Sequence, residues 1–180
     1  MKNIQYLALL RGINVGGNNI IKMTDLKSCF ESLAFTNVST YIQSGNVLFL
    51  SDEKDKTKLT NKISKALTEK FNYNLPIIIL SKKQLNSVVD EAPCGFGKDP
   101  DNYKYDVIFL KESLIPNEVI RNIYPKAGVD FAFAGKQVLY FSKLISKASQ
   151  SHLTRIISIP EYKNMTIRNW NTTTKLLALM

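Results

Sequence analysis

The chain is short of the residues from which most catalytic and metal centres are built. Its 180 residues include two cysteines, one histidine and one tryptophan. Cys29 and Cys94 are too far apart for a Cys-x-x-Cys metal or redox motif, and His152 is the lone imidazole, so neither zinc coordination nor a His-dependent triad is expected. No metal and no cofactor is anticipated. No apolar run approaches the ~18 residues of a membrane-spanning helix. The opening Met1-Lys2-Asn3-Ile4-Gln5 also lacks the apolar core of a signal peptide, so a cytoplasmic location without a membrane partner is expected. Acidic residues are scarce beside basic ones, 15 against 24. Asp52, Asp90, Glu91, Asp99 and Asp101 fall among turn residues and lysines, the setting of solvated loop charges rather than of a paired acid and base.

The resulting net charge of +9 favours acidic partners, an anionic small molecule or nucleic acid among them. Much of it comes from Lys54, Lys56, Lys58, Lys62, Lys65 and Lys70, which Glu53, Asp55 and Glu69 interrupt, so the run reads as a solvated helix face. An apolar content of 44% is ample for a core.

Hydrophobic periodicity predicts an α+β fold. Ile4 to Leu10 reads as a buried strand. Thr24 is placed as the cap of a helix carrying Leu26, Phe30 and Leu33 on one face, with Cys29 as a small buried thiol beside them. Asn37 to Gln43 and Val47 to Leu50 form a hairpin about Ser44-Gly45-Asn46. Asp52 to Asn72 gives a second helix through Leu59, Ile63, Ala66, Leu67 and Phe71, and Pro76 to Leu80 a fourth strand. This βαββαβ order is ferredoxin-like, and right-handed crossovers put the end of the first strand and the hairpin turn at one sheet edge. Arg11 to Asn19 and Ser44-Gly45-Asn46 are therefore expected to be neighbours.

The chain divides, on this reading, into a ferredoxin-like subdomain over 1–81 and a second α+β subdomain over 82–180. In the second, Lys82 to Glu91 reads as a short helix, Ala92 to Asn102 as a turn-rich linker and Lys104 to Lys111 as a strand. Asn117 is placed as the cap of a helix reaching Tyr124. Val129 to Phe133 and Gln137 to Phe141 form a hairpin, Ser149 to Ile157 a helix, and Asn171 caps a terminal helix that buries Leu176, Leu177 and Met180. The element order partly repeats that of the first half without matching residues.

Two stretches carry polar chemistry. In Leu9-Leu10-Arg11-Gly12-Ile13-Asn14-Val15-Gly16-Gly17-Asn18-Asn19 a strand runs into one arginine and a glycine loop before a helix, where backbone amides can receive an anion. The glycines match neither Gly-x-Gly-x-x-Gly nor the P-loop pattern. Arg168-Asn169-Trp170 offers guanidinium, amide and indole, although a single Trp ahead of a terminal helix also serves as a core anchor. Tyr6 and Tyr41 offer hydroxyls near the loop, and at a reference pKa of about 10 they need activation to act as bases.

With these residues in view, the segments Leu-Leu-Arg-Gly-Ile-Asn-Val-Gly-Gly, Tyr-Ile-Gln-Ser-Gly-Asn-Val-Leu-Phe and Thr-Ile-Arg-Asn-Trp-Asn-Thr resemble a widespread, mainly bacterial family of small cytoplasmic proteins classed as a domain of unknown function. The resemblance implies an α+β structure of two subdomains and no particular reaction. It carries over Arg11, Gly12, Asn14, Gly16 and Gly17; Ser44, Gly45 and Asn46; and Arg168, Asn169, Trp170 and Thr172.

The function expected is binding of an anionic, phosphate-bearing ligand, nucleic acid included, in a polar cleft made by Arg11, Asn14, Gly16, Gly17, Ser44, Asn46, Arg168 and Asn169. Two alternatives compete. One is an enzyme on a small phosphorylated or carboxylated metabolite, with Arg11 stabilising charge and a Tyr or Ser donating a proton. The other is a self-associating protein in which all three motifs serve turns and packing.

Overall fold

The computed structural model describes residues 3–17 and 19–180. Asn18 of the glycine loop and Met1-Lys2 lie outside the described residues. The fold is α+β, and the chain divides into two compact units, residues 1–85 with 179–180, and 86–178.

In the first unit, β1 (Ile4–Leu10), β2 (Thr36–Tyr41), β3 (Asn46–Ser51) and β4 (Ile77–Ser81) form an antiparallel sheet in the order β2-β3-β1-β4. With α1 (Met23–Glu31) and α2 (Lys56–Phe71) between strands, this is the expected ferredoxin-like arrangement. Alternation along β1 sends Tyr6, Ala8 and Leu10 into a core shared with Leu26 and Phe30 of α1 and Leu59, Ile63 and Leu67 of α2. Leu7 and Leu9, on the other face, are buried as well, which is why β1 reads as a continuous apolar run.

The second unit repeats this scaffold. β5 (Tyr103–Leu110), β6 (Asp130–Ala134), β7 (Val138–Leu144) and β8 (Met165–Asn169) form a second antiparallel sheet in the order β6-β7-β5-β8, the same topology with each strand replaced by its counterpart. The correspondence extends to register. Leu9 pairs with Asn46 as Phe109 pairs with Val138, and Leu10 with Ile77 as Leu110 with Met165. Closing bonds recur too: Leu10 N donates to Gly45 O (2.8 Å) and Arg11 N to Pro76 O (3.0 Å), just as Leu110 N donates to Gln137 O (3.2 Å) and Lys111 N to Asn164 O (3.0 Å). Each fourth strand runs directly into a nine-residue helix, α3 (Lys82–Asp90) after β4 and α5 (Trp170–Ala178) after β8; the short α4 (Pro116–Val119) follows β5.

Several helix ends differ from expectation. Thr24 lies inside α1, whose N-cap is Lys22 without a side-chain bond, because Lys22 O already accepts from Asp25 and Leu26 N. α2 begins at Lys56, where Asp55 accepts from the Thr57 and Lys58 amides. Asn117 is not a cap: Pro116 takes the first helical position behind Ile115, where its missing N–H costs nothing. The helix expected over Ser149 to Ile157 is instead a series of 3₁₀ turns over 145–150, 153–158 and 160–164. The terminal helix is capped by Asn169 rather than Asn171, the Asn169 Oδ1 accepting from Thr172 N at 2.7 Å. Ser81 plays the equivalent part before α3, where its Oγ accepts from Gln84 N and its own N donates to Gln84 Oε1, a capping box. Among the described residues no helix is long and apolar enough to cross a membrane.

Candidate functional site

The glycine loop is held in shape by two asparagine side chains. Asn14 Oδ1 accepts from Ile21 N (2.9 Å), while its Nδ2 donates to Ile21 O and to Gln43 O, each at 3.0 Å. Asn19 Nδ2 donates to Gly12 O at 2.8 Å, and Asn14 N to Asn19 O at 3.2 Å. One amide thus ties the base of the loop to α1's approach and to the hairpin turn, and the second closes the loop on itself. Left-handed backbone at Gly12, Asn14, Gly16, Gly17 and Asn19 gives the segment its tight course, and asparagine is the non-glycine residue that tolerates it best.

The hairpin turn seats directly against this loop, as the topology predicts. Gly45 has φ +75°, and a Cβ there would fall 2.9 Å from both Leu10 Cβ and Ile13 Cδ1, so the turn approaches as far as it does only because the side chain is absent. Asn46, fully buried, donates through Nδ2 to Tyr41 O (2.9 Å) and Ser44 Oγ (3.1 Å), which fixes Ser44 on the turn. Ile13 is buried beneath, while Gly16 and Gly17 are exposed and Arg11 is half-buried at the end of β1. Among the described residues no hydrogen bond occupies the Gly16 and Gly17 amides.

Five residues from the two N-terminal motifs, Arg11, Asn14, Ser44, Gly45 and Asn46, therefore meet at one end of the first sheet. Asn14 and Asn46 spend their amides on the scaffold, and the exposed backbone of Gly16 and Gly17 belongs to the same loop as the half-buried Arg11. Tyr41 ends β2 beside this turn, whereas the Tyr6 hydroxyl is remote from it and donates to Glu53 O at 2.9 Å. Burial and then the Glu53 charge push that phenol above its ordinary value, making it a poorer acid.

Arg168 and Asn169 belong to the second unit. Arg168 is 8% exposed on β8, its Nη1 donates to Ile167 O at 2.8 Å, and burial pushes its guanidinium down to about 10. Asn169 is engaged as the α5 cap. Trp170 stands edge-on to Phe96, with centroids 5.1 Å apart, and Gly97 (φ +80°) lies so close that a Cβ would strike the indole. The tryptophan anchors α5 against the 96–97 turn. His152 serves through its backbone, His152 N donating to Asp130 Oδ2 at 2.8 Å. Cys29 is buried, and that burial raises its thiol pKa. Among the described residues no group of three or more His, Cys, Asp or Glu is arranged to hold a metal ion.

The aromatic surface of the second unit was not singled out from sequence. Phe131, Phe133, Tyr103 and Tyr105 surround an open cleft over Ser142, and the signal for it was present in the alternation of Tyr103, Lys104 and Tyr105 and of Phe131, Ala132 and Phe133.

Among solved structures, the chain is similar to the conserved bacterial protein SP0830 from Streptococcus pneumoniae, with a TM-score of 0.86 and 25% identity over 99% of each chain. An unknown protein from Galdieria sulphuraria aligns over 93% of this chain and 98% of its own at 13% identity, with a TM-score of 0.29. No curated protein matches the sequence. The family described as "Protein of unknown function (DUF1697)" matches residues 4–140, through both sheets as far as β7, and the chain belongs to that family.

Proposed function

We propose that the first unit binds an anionic, phosphate-bearing ligand on its glycine loop, with Arg11 supplying the charge and the Gly16 and Gly17 amides the directed donors. The observation that carries this reading is that the second unit makes the equivalent connection with a much shorter segment. At the equivalent place in the second unit, residues 111–115 suffice to connect β5 to α4, whereas residues 11–22 connect β1 to α1. A connection lengthened on one copy of a repeated scaffold, and then braced by two asparagine side chains, has a use other than joining its ends. Exposed amides on the same loop as an arginine suit an anion. In this reading Ser44 lines the same surface from the hairpin, and Asn14 and Asn46 hold it in shape. The net charge of +9 supports an acidic partner, nucleic acid included.

An amide-resolved NMR titration with inorganic pyrophosphate tests the proposal. The Gly16 and Gly17 resonances are expected to shift in a saturable manner, and Arg11→Ala to weaken binding by ten- to a hundredfold, since hydrogen bonds to charged groups contribute ~1.5–3 kcal/mol. Unmoved glycine amides at millimolar pyrophosphate, or an Arg11→Ala variant that binds as well as the parent, would refute it.

A further inference from the structure

We propose a second, separate site: an aromatic cleft on the second unit that takes an unpaired nucleobase from a single-stranded nucleic acid. It rests on none of the residues of the glycine loop. The second sheet sends Ile108, Leu139 and Phe141 into its hydrophobic core, and alternation turns their neighbours to the opposite face. There the register aligns Tyr105, Ser142 and Phe131 in one row across β5, β7 and β6, with Tyr103 and Phe133 one step away on the same face. Phe131 and Phe133 are 44% and 45% exposed. The rings form a continuous wall. Phe131 lies 6.1 Å from Tyr103, Tyr103 lies 6.2 Å from Tyr105, and Tyr105 lies 4.9 Å from Phe96, centroid to centroid.

These side chains enclose an open cleft of about 210 Å³, with Ser142 on its floor and Cys94 on its rim. Ser142 is only 6% exposed, and among the described residues its hydroxyl has no hydrogen-bond partner. A hydroxyl both donates and accepts, so the cleft offers one polar contact at the bottom of aromatic walls. The topology does not require this arrangement. The first unit, built to the same register, places Gln5, Leu50 and Thr36 in the row that here holds Tyr105, Ser142 and Phe131, and Ser39 where Phe133 stands.

The occupant that satisfies all of these features is a planar ring with hydrogen-bonding atoms on its edge. A nucleobase has two π faces for the walls and donors and acceptors for Ser142. The cleft is the size of a ring system, not of a whole nucleotide. A base inside a duplex has both faces stacked and its edge paired, so the strand must be single, and the chain's charge of +9 favours such a polyanion over an aromatic segment of a neutral or basic protein. In one class of RNA-binding module, a four-stranded sheet binds single strands by stacking bases on aromatic residues of one face.

The full chain is titrated with hexauridylate, hexaadenylate, a 12-base-pair duplex and a short acidic peptide containing tryptophan. The readouts are tyrosine fluorescence and the rate of Cys94 alkylation by iodoacetamide, Cys29 being buried. The hexanucleotides are expected to quench tyrosine emission and slow alkylation of Cys94, and the duplex and the peptide to do neither. Phe131→Ala and Phe133→Ala, at exposed positions where truncation leaves the fold intact by circular dichroism, should each weaken hexanucleotide binding by about tenfold or more. Ser142→Ala should alter the ratio of uridylate to adenylate affinity while quenching persists, which a serine serving only to pack the sheet would not do. The proposal is overturned if single strands leave Cys94 reactivity unchanged, if the duplex or the peptide binds equally well, or if the phenylalanine variants bind like the parent.

Discussion

Replacing Gly45 with alanine should destabilise the protein by about 2–4 kcal/mol, and the structure separates that cost into two parts. Gly45 holds φ +75°, a left-handed backbone that costs an alanine about 1 kcal/mol relative to glycine. The added Cβ also meets Leu10 Cβ and Ile13 Cδ1 at 2.9 Å, closer than carbon atoms pack, and overfilling of this kind costs about 1–3 kcal/mol. Gly17 supplies the control. At φ +78° it has the same backbone requirement, but a Cβ there meets nothing within 4 Å, so Gly17→Ala should cost only about 1 kcal/mol. Urea unfolding followed by far-ultraviolet circular dichroism measures both, and the difference between the midpoints isolates the contact. Ile13→Val withdraws the Cδ1 methyl, so it should recover part of the loss in the Gly45→Ala background and cost about 1 kcal/mol in the parent, a coupling that a double-mutant cycle reads directly. Equal destabilisation by Gly45→Ala and Gly17→Ala, or additivity of Gly45→Ala with Ile13→Val, would refute the claim that the hairpin turn is seated on the loop through this contact.

Gly97→Ala should push the Trp170 indole off the 96–97 turn, seen as a red shift of tryptophan emission with a loss of roughly 2–4 kcal/mol in stability; unchanged emission would argue against that anchor. Asn169→Ala removes the α5 cap and should cost about 1 kcal/mol, with Asn169→Asp retaining most of it. Asp130 and Asp106 should respond to pH in opposite directions. Burial alone would raise the Asp130 carboxyl, but the nearby Ser151 hydroxyl and the bonds from Lys126 N and His152 N hold it below its ordinary value. Its folded pKa is thus depressed, so its contribution is present above the unfolded pKa and lost as pH falls through the folded one, and Asp130→Ala, costing about 3 kcal/mol at pH 7, should cost less below pH 4. Burial raises Asp106 despite Lys143 and Lys104, so the folded state binds its proton more tightly than the unfolded state does. Its charge therefore opposes folding at neutral pH, and Asp106→Asn should raise the urea midpoint at pH 7 and not at pH 4.

The first unit was largely legible in the sequence because its elements are long and strongly periodic. β1 could be placed residue for residue, since Ile4 to Leu10 is buried on both faces, and the position of the loop beside the hairpin followed from handedness alone. The second unit was harder for a physical reason. Where α2 has sixteen residues with Leu59, Ile63 and Leu67 in phase, its counterpart is a series of 3₁₀ turns, whose apolar residues keep no helical period. β8 was missed although Met165, Thr166, Ile167 and Arg168 alternate apolar with polar, because four residues are the shortest run on which that signal can stand. The cap of α5 falls two residues before Asn171 for a local reason. Both fourth strands enter the following helix without a loop, so Ser81 and Asn169 act at once as the last residue of a strand and as the cap, and a rule that looks for the cap after a strand has ended moves one or two residues too far.

A duplicated scaffold supplies its own control for function, because whatever the fold requires must be met twice. The Leu10 and Leu110 amides, the Arg11 and Lys111 amides, and the Ser81 and Asn169 caps recur at matched positions, so their roles belong to the architecture. This removes Asn169 from the features that need a ligand to explain them. The glycine loop and the aromatic cleft fail the same comparison: the connection over 11–22 is seven residues longer than the one over 111–115, and Tyr105, Ser142 and Phe131 stand where the first has Gln5, Leu50 and Thr36. The comparison also yields a graft. Shortening the loop to the length of 111–115 should leave the first sheet folded, since Leu110 and Lys111 close the same bonds without it. Retained secondary structure with lost pyrophosphate binding is the outcome expected of a functional loop. Collapse of the sheet would show instead that the asparagine clamp, and with it the whole N-terminal motif, serves folding.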